Sequence, residues 1–128
     1  MSTRQREKTN ARRAVAKEMG PHATLRRLRM SASKVRLVTN VIRGKKVEDA
    51  LNILSFSPKA AAKPLAKVLK SAVANADLKG GYDLDKLIVA TATVDEGPTW
   101  RRWLPRAMGR ATRIRKRTSH VTLILGEV

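Results

Sequence analysis

Asp95-Glu-Gly-Pro-Thr-Trp-Arg-Arg-Trp-Leu-Pro-Arg-Ala-Met-Gly-Arg-Ala-Thr-Arg-Ile-Arg-Lys-Arg117 is the stretch that decides how the rest of this chain is read. Runs of strand-forming character flank it, Leu87 to Val94 on one side and Val121-Thr-Leu-Ile-Leu125 on the other. The interval is too long for a tight turn, and a structureless loop of that length is unusual inside a small domain. The two strands are therefore expected to continue outward as a two-stranded arm, bent near Gly97-Pro98 and turning near Pro105–Gly109. With about 12 residues per side it would reach roughly 40 Å. A lone ribbon is marginally stable in water, so such an arm needs something to enclose it.

The chemistry of the arm names that enclosure. From Trp100 to Arg117 there are seven Arg, one Lys and no acidic residue. Arg suits bidentate phosphate contacts and stacking on bases. Two of the chain's four aromatic residues, Trp100 and Trp103, lie here too. Structured RNA is recognised through shape, phosphates and stacking on exposed bases, which Arg and Trp together provide. The plainer alternative for the Trp pair is a small apolar core. Composition alone does not choose RNA over DNA.

Outside the arm the charge is uneven. Residues 1–46 carry 14 basic and 2 acidic side chains, residues 47–98 carry 6 and 7, and residues 99–128 carry 8 and 1. An ordinary globular middle thus lies between two basic regions, and the 128-residue chain has a formal net charge of +18. Repulsion on that scale calls for a polyanionic partner. Residues 1–22 show no apolar periodicity and close with Gly20-Pro21, which reads as an extended basic arm. Glu7 and Glu18 make an organelle presequence the weaker reading of that segment, and no apolar core for a secretory signal is visible.

The remaining elements follow from apolar periodicity. Residues 23–30 resemble a strand with Leu28 and Met30 on one face and Leu25 out of phase. Ser31 to Arg43 reads as a helix, with Val35, Val38, Val41 and Ile42 at three- and four-residue steps, Ser31 as N-cap and Gly44 as its end. A second helix carries Glu48 and Asp49 in its first turn and a stripe of Val47, Ala50, Leu51 and Leu54. Ser57-Pro58 is expected to open a third, buried through Leu65, Val68, Leu69, Ala72 and Ala76 and stopped by Gly80-Gly81, with a kink at Pro64. Lys59, Lys63 and Lys67 would share one of its faces, either as phosphate contacts or as a solvated surface. These elements describe one α+β domain over residues 23–128 with three helices, the protruding hairpin occupying about 86–120.

Enzymatic and metal chemistry find little support. The chain has no Cys, and His22 and His120 are isolated. Asp95 and Glu96 are adjacent in extended chain, so they face opposite sides and suit pairing with neighbouring Arg better than acid–base work. No Gly-rich phosphate loop and no metal-ligand set is present, so neither cofactor nor metal is expected. No apolar run is long enough to span a membrane.

At this point the residues become recognisable. Ser-Ala-Ser-Lys-Val-Arg-Leu-Val (31–38), Ile-Arg-Gly-Lys-Lys-Val-Glu-Asp-Ala-Leu-Asn-Ile-Leu (42–54) and Lys-Val-Leu-Lys-Ser-Ala-Val-Ala-Asn-Ala (67–76) form ordered blocks. So do Val-Asp-Glu-Gly-Pro-Thr (94–99), Pro-Arg-Ala-Met-Gly-Arg-Ala (105–111) and Arg-Ile-Arg-Lys-Arg-Thr-Ser-His-Val-Thr (113–122). The chain resembles, in these blocks, the family of the large-subunit ribosomal protein numbered twenty-two, bacterial type. Trp100 and Trp103 stand where relatives are often aliphatic, and Met108 where a basic residue is common.

The resemblance implies a three-stranded antiparallel sheet packed on helices, with a long hairpin threading into large-subunit ribosomal RNA. It implies a structural role: binding of 23S-type RNA, support of early subunit assembly, and a hairpin tip lining the polypeptide exit tunnel. That tip would be Arg101, Arg102, Trp103, Leu104, Pro105, Arg106, Ala107, Met108, Gly109 and Arg110. Trp100, Arg113, Arg115, Lys116 and Arg117 would also meet RNA from the arm, and Lys34, Arg36, Arg43, Lys45 and Lys46 from the domain. The implied partners are ribosomal RNA, neighbouring large-subunit proteins and the nascent chain, on a cytoplasmic ribosome, without a membrane and without self-association. An architectural protein of double-stranded DNA is the competing reading, since a basic ribbon would serve there as well.

Overall fold

A computed structural model of the protein describes residues 5–10 and 19–127. In chain order it contains β1 (His22–Leu28), α1 (Ala32–Ile42), α2 (Val47–Phe56), α3 (Ala62–Lys79), β2 (Leu87–Glu96), β3 (Trp100–Pro105), β4 (Ala111–Lys116) and β5 (Ser119–Glu127). The antiparallel sheet runs β1-β5-β2, and β3-β4 form a separate two-stranded ribbon. The α+β expectation, three helices on a three-stranded sheet with a projecting hairpin, describes this architecture.

Strand alternation creates the core. Along the central strand β5, Val121, Leu123 and Leu125 are buried while Thr122 and Ile124 face the other way. α1 lies against β2, α3 lies against β1 and β5, and α2 packs on α3. Ile42, Leu65, Leu69, Leu87, Leu123 and Leu125 are almost wholly buried between them. Each such side chain contributes about 1.5–3 kcal/mol on burial.

Three local expectations are corrected by the packing, and a fourth, the N-cap of α1, is met in position but without its side-chain bond. The third helix begins at Ala62, not at Ser57-Pro58: Ser57 closes α2, and its hydroxyl accepts from Lys59 N. Pro64 therefore falls within the first turn, where a backbone N–H has no intrahelical acceptor, so it removes no bond and gives no reason for a kink. Ser31 occupies the N-cap position of α1 without a capping side-chain bond. Val41 is half exposed, because the buried face of α1 is Val35, Val38, Thr39 and Ile42.

The basic N-terminal segment also differs from an extended arm. Residues 5–10 are helical, with the Thr9 hydroxyl donating to Gln5 O at 2.8 Å. At its end Pro21 is buried and its carbonyl accepts from Leu125 N at 2.8 Å, so residue 21 already belongs to the domain. Residues 1–4 and 11–18 of that arm lie outside the described residues.

Candidate nucleic-acid interface

The arm leaves the sheet at a sharp bend. Gly97 N donates to Thr118 O at 2.9 Å, and the Thr118 hydroxyl donates to Pro98 O at 2.6 Å. A Cβ on Gly97 would stand 2.5 Å from that hydroxyl oxygen, so only glycine fits the crossing. Beyond the bend each strand has six residues, paired from Trp100↔Lys116 to Pro105↔Ala111. That length spans roughly 20 Å, about half the expected reach, since the bend consumes residues at both strands' bases. Arg106 N donates to Arg110 O at 2.7 Å across the turn, and Met108, 94% exposed, stands at its apex.

Alternation sorts the ribbon into two faces. Arg101 and Trp103 share one with their partners Arg115 and Arg113, whereas Trp100, Arg102 and Leu104 share the other with Lys116, Ile114 and Thr112. Every residue of β3 is exposed, and Trp100 and Trp103 are 59% and 61% exposed, so no small core forms around them. The Arg113 guanidinium lies 5.3 Å from the centre of the Trp103 ring, a cation–π contact. Arg101 directly opposes Arg115, a like-charge pair that weakens a ribbon. Neither strand supplies a carboxylate to offset it.

At the base of the arm, blocks far apart in sequence meet. Arg101, Arg113, Arg115 and Arg117 line a cleft of about 290 Å³ with Glu96 and Ala32. Beside it Arg115, Lys116 and Arg117 converge on Arg29, Ser31 and Lys34, at the start of α1. The first turn of α1 contains no acidic residue, so its N–H groups add to a positive surface. Arg29 joins this surface without having been a candidate on sequence grounds, although Arg26-Arg27-Leu28-Arg29 is a visible basic cluster.

The structure separates the other domain candidates from this surface. Arg36 donates through Nε and Nη2 to Val94 O, and Arg43 through Nη2 to Ala92 O. Gly44 N donates to Val89 O, and Lys45 O accepts from Val89 N. Arg36, Arg43 and the 44–45 backbone thus close the outer edge of β2, which would otherwise offer unpaired groups to another chain. Both guanidinium groups retain further donors, and the side chains of Lys45 and Lys46 remain exposed. Asp95 and Glu96 do not pair with Arg: among the described residues the one ion pair is Lys86–Asp83. There the Lys86 ammonium holds the Asp83 carboxyl below its ordinary pKa and is itself raised, on an exposed turn before β2.

The family model described as Ribosomal protein L22p/L17e matches residues 23–126, from the first strand to the last and through the whole arm. The chain belongs to this family. Its relatives include the Large ribosomal subunit protein uL22 of Myxococcus xanthus, 59% identical over 107 residues, covering 82% of this chain and 94% of the relative. That of Maridesulfovibrio salexigens is 57% identical over 110 residues, covering 86% and 100%. That of Anaeromyxobacter sp. strain Fw109-5 is 58% identical over 108 residues, covering 84% and 75%. The L22p/L17e family consists of large-subunit ribosomal proteins, not enzymes. Among the described residues no helix is long and apolar enough to cross a membrane.

Proposed function

We propose that this large-subunit ribosomal protein binds ribosomal RNA through its arm and the basic surface at the arm's base. The carrying observation is the ribbon itself: exposed on both faces, without a carboxylate on either strand, and with Arg facing Arg in register. Such a ribbon gains its partner charges from outside the protein. RNA supplies phosphates for the Arg side chains and bases for Trp100 and Trp103. The domain holds the base while the arm reaches between RNA segments, which suits early assembly. The tip, Arg101 to Arg110, is the part that would line the exit tunnel and meet the nascent chain. Residues Lys34, Arg113, Arg115, Lys116 and Arg117 form the adjoining contact, and Arg36, Arg43, Lys45 and Lys46 a second one along β2. The working location is the ribosome in the bacterial cytoplasm, beside other large-subunit proteins.

Binding of purified protein to large-subunit ribosomal RNA across a salt series tests this, with duplex DNA of equal length as competitor. With about 6–10 phosphate contacts, affinity falls about 10³–10⁵-fold between roughly 50 and 200 mM salt. A steep slope with persistent preference for RNA is the expected result. The same slope without preference would put the DNA-binding alternative first.

A further inference from the structure

β1 is not a regular strand. Its register with β5 shifts between Leu25 and Leu28, and Arg27 within the shift has φ +56°. A residue with a Cβ is disfavoured there, and glycine would be the ordinary choice. Among the described residues the other non-glycine case, Met108, sits in the tip turn, where a left-handed residue serves to reverse the chain. Arg27 lies within a strand. Its backbone N–H is held by His120 Nδ1 at 3.0 Å, which leaves the imidazole proton on Nε2.

An extra residue in one strand re-aims the side chains around it. Arg26 and Arg27 here line one shallow cleft together with Thr24, Pro98, His120 and Thr122. The cleft opens on the sheet face turned away from the helices, since Ala23 and Leu123, the alternate neighbours of Thr24 and Thr122, are buried. Its lining offers two guanidinium groups, an imidazole N–H and two hydroxyls, with no carboxylate. Asp95 lies opposite His120 on β2 and makes no ion pair with either Arg. Pro98 at the bend forms one wall, so the cleft adjoins the base of the arm.

We propose that this bulge is a phosphate-binding site for the RNA backbone, with Arg26 and Arg27 as charged donors and His120 as the positioning residue. The inference rests on the RNA-binding reading above and extends the contact to the open face of the sheet. It also accounts for an arginine occupying a backbone conformation that favours glycine: the strain keeps a second guanidinium on the cleft.

The test uses the full chain, large-subunit ribosomal RNA and two variants. Arg27→Gly removes the donor while relieving the backbone, so its melting temperature should equal or exceed that of the parent. Arg26→Ala leaves the strained position untouched and reports independently of it. For each variant the plot of log Kobs against log salt should become shallower by about 0.7–0.9 for every phosphate the protein no longer neutralises. Weaker, less salt-dependent binding without a lowered melting temperature supports the site. Unchanged slopes in both variants, with a parent that binds steeply, would overturn this inference and leave the arm's role standing. A parent with no steep salt dependence would instead sink the RNA reading on which it rests.

Discussion

The domain and the arm of this protein solve opposite problems. In the domain, Val121, Leu123 and Leu125 point into a core closed by α1 and α3, and even the free edge of β2 is covered by Arg36, Arg43 and the 44–45 backbone. In the arm, twelve strand residues carry their apolar groups outward, and an Arg faces an Arg. One region is stabilised by what it buries within itself. The other buries almost nothing and is held by strand pairing. An arginine consequently means different things in the two places, a structural clasp at Arg43 and an open donor at Arg102.

That comparison can be broken by substitution. The largest contrast is expected between Leu123→Ala and Leu104→Ala. The first opens a cavity in the central strand and should cost about 2–5 kcal/mol, lowering the melting temperature by about 10 °C or more. The second lies on an exposed strand and should stay within about 0.5 kcal/mol of the parent. A comparable loss from Leu104→Ala would mean that the arm is part of the folding unit.

Replacing Arg101, Arg102, Arg106 and Arg110 together by Ala should weaken binding to ribosomal RNA by about 10²–10³-fold and impair subunit assembly. Thermal melting should be unchanged or slightly raised by relief of like-charge repulsion. Intact assembly by this variant would refute the role given to the tip. Arg43→Ala sharpens the other side of the comparison: losing a charged bond to Ala92 O should cost about 1–2 kcal/mol of domain stability. If Arg43→Ala weakens RNA binding while leaving melting unaffected, the clasp assignment fails.

The smallest effect has the opposite sign. Ser119 is fully buried at the base of β5, and its hydroxyl has no hydrogen-bond partner. Ser119→Ala should therefore raise stability by about 1 kcal/mol, which a denaturant titration resolves. A destabilised variant would show that the hydroxyl is satisfied in solution.

Much of the fold is legible in the chain because local signals agree. The apolar stripe of Leu65, Val68, Leu69, Ala72 and Ala76 forms the buried face of α3, and Gly80 ends that helix at φ +67°. The alternation of β5 places Val121, Leu123 and Leu125 inside. Leu25 is out of phase for a physical reason, since the bulge at Arg26-Arg27 supplies the missing half-period. The start of α3 is not legible, because Ser57-Pro58 carries a good helix-opening signature that the end of α2 uses first.

By itself, then, the sequence determined the type of the domain's main elements, most of their inward-facing positions and the concentration of positive charge in the arm. Periodicity and charge density are properties of neighbouring residues and need no tertiary context. Which cations also serve the domain's own backbone was decided only by the fold. Arg36 and Arg43 look like Arg102 in one dimension, yet β2 places bare carbonyls beside them, and a buried acceptor without a donor is costly. The same long-range pairing set Arg29 and Lys34 beside Arg117, and placed His120 where it holds the strained backbone of Arg27. Such contacts depend on strand order and register, which no local window of residues contains.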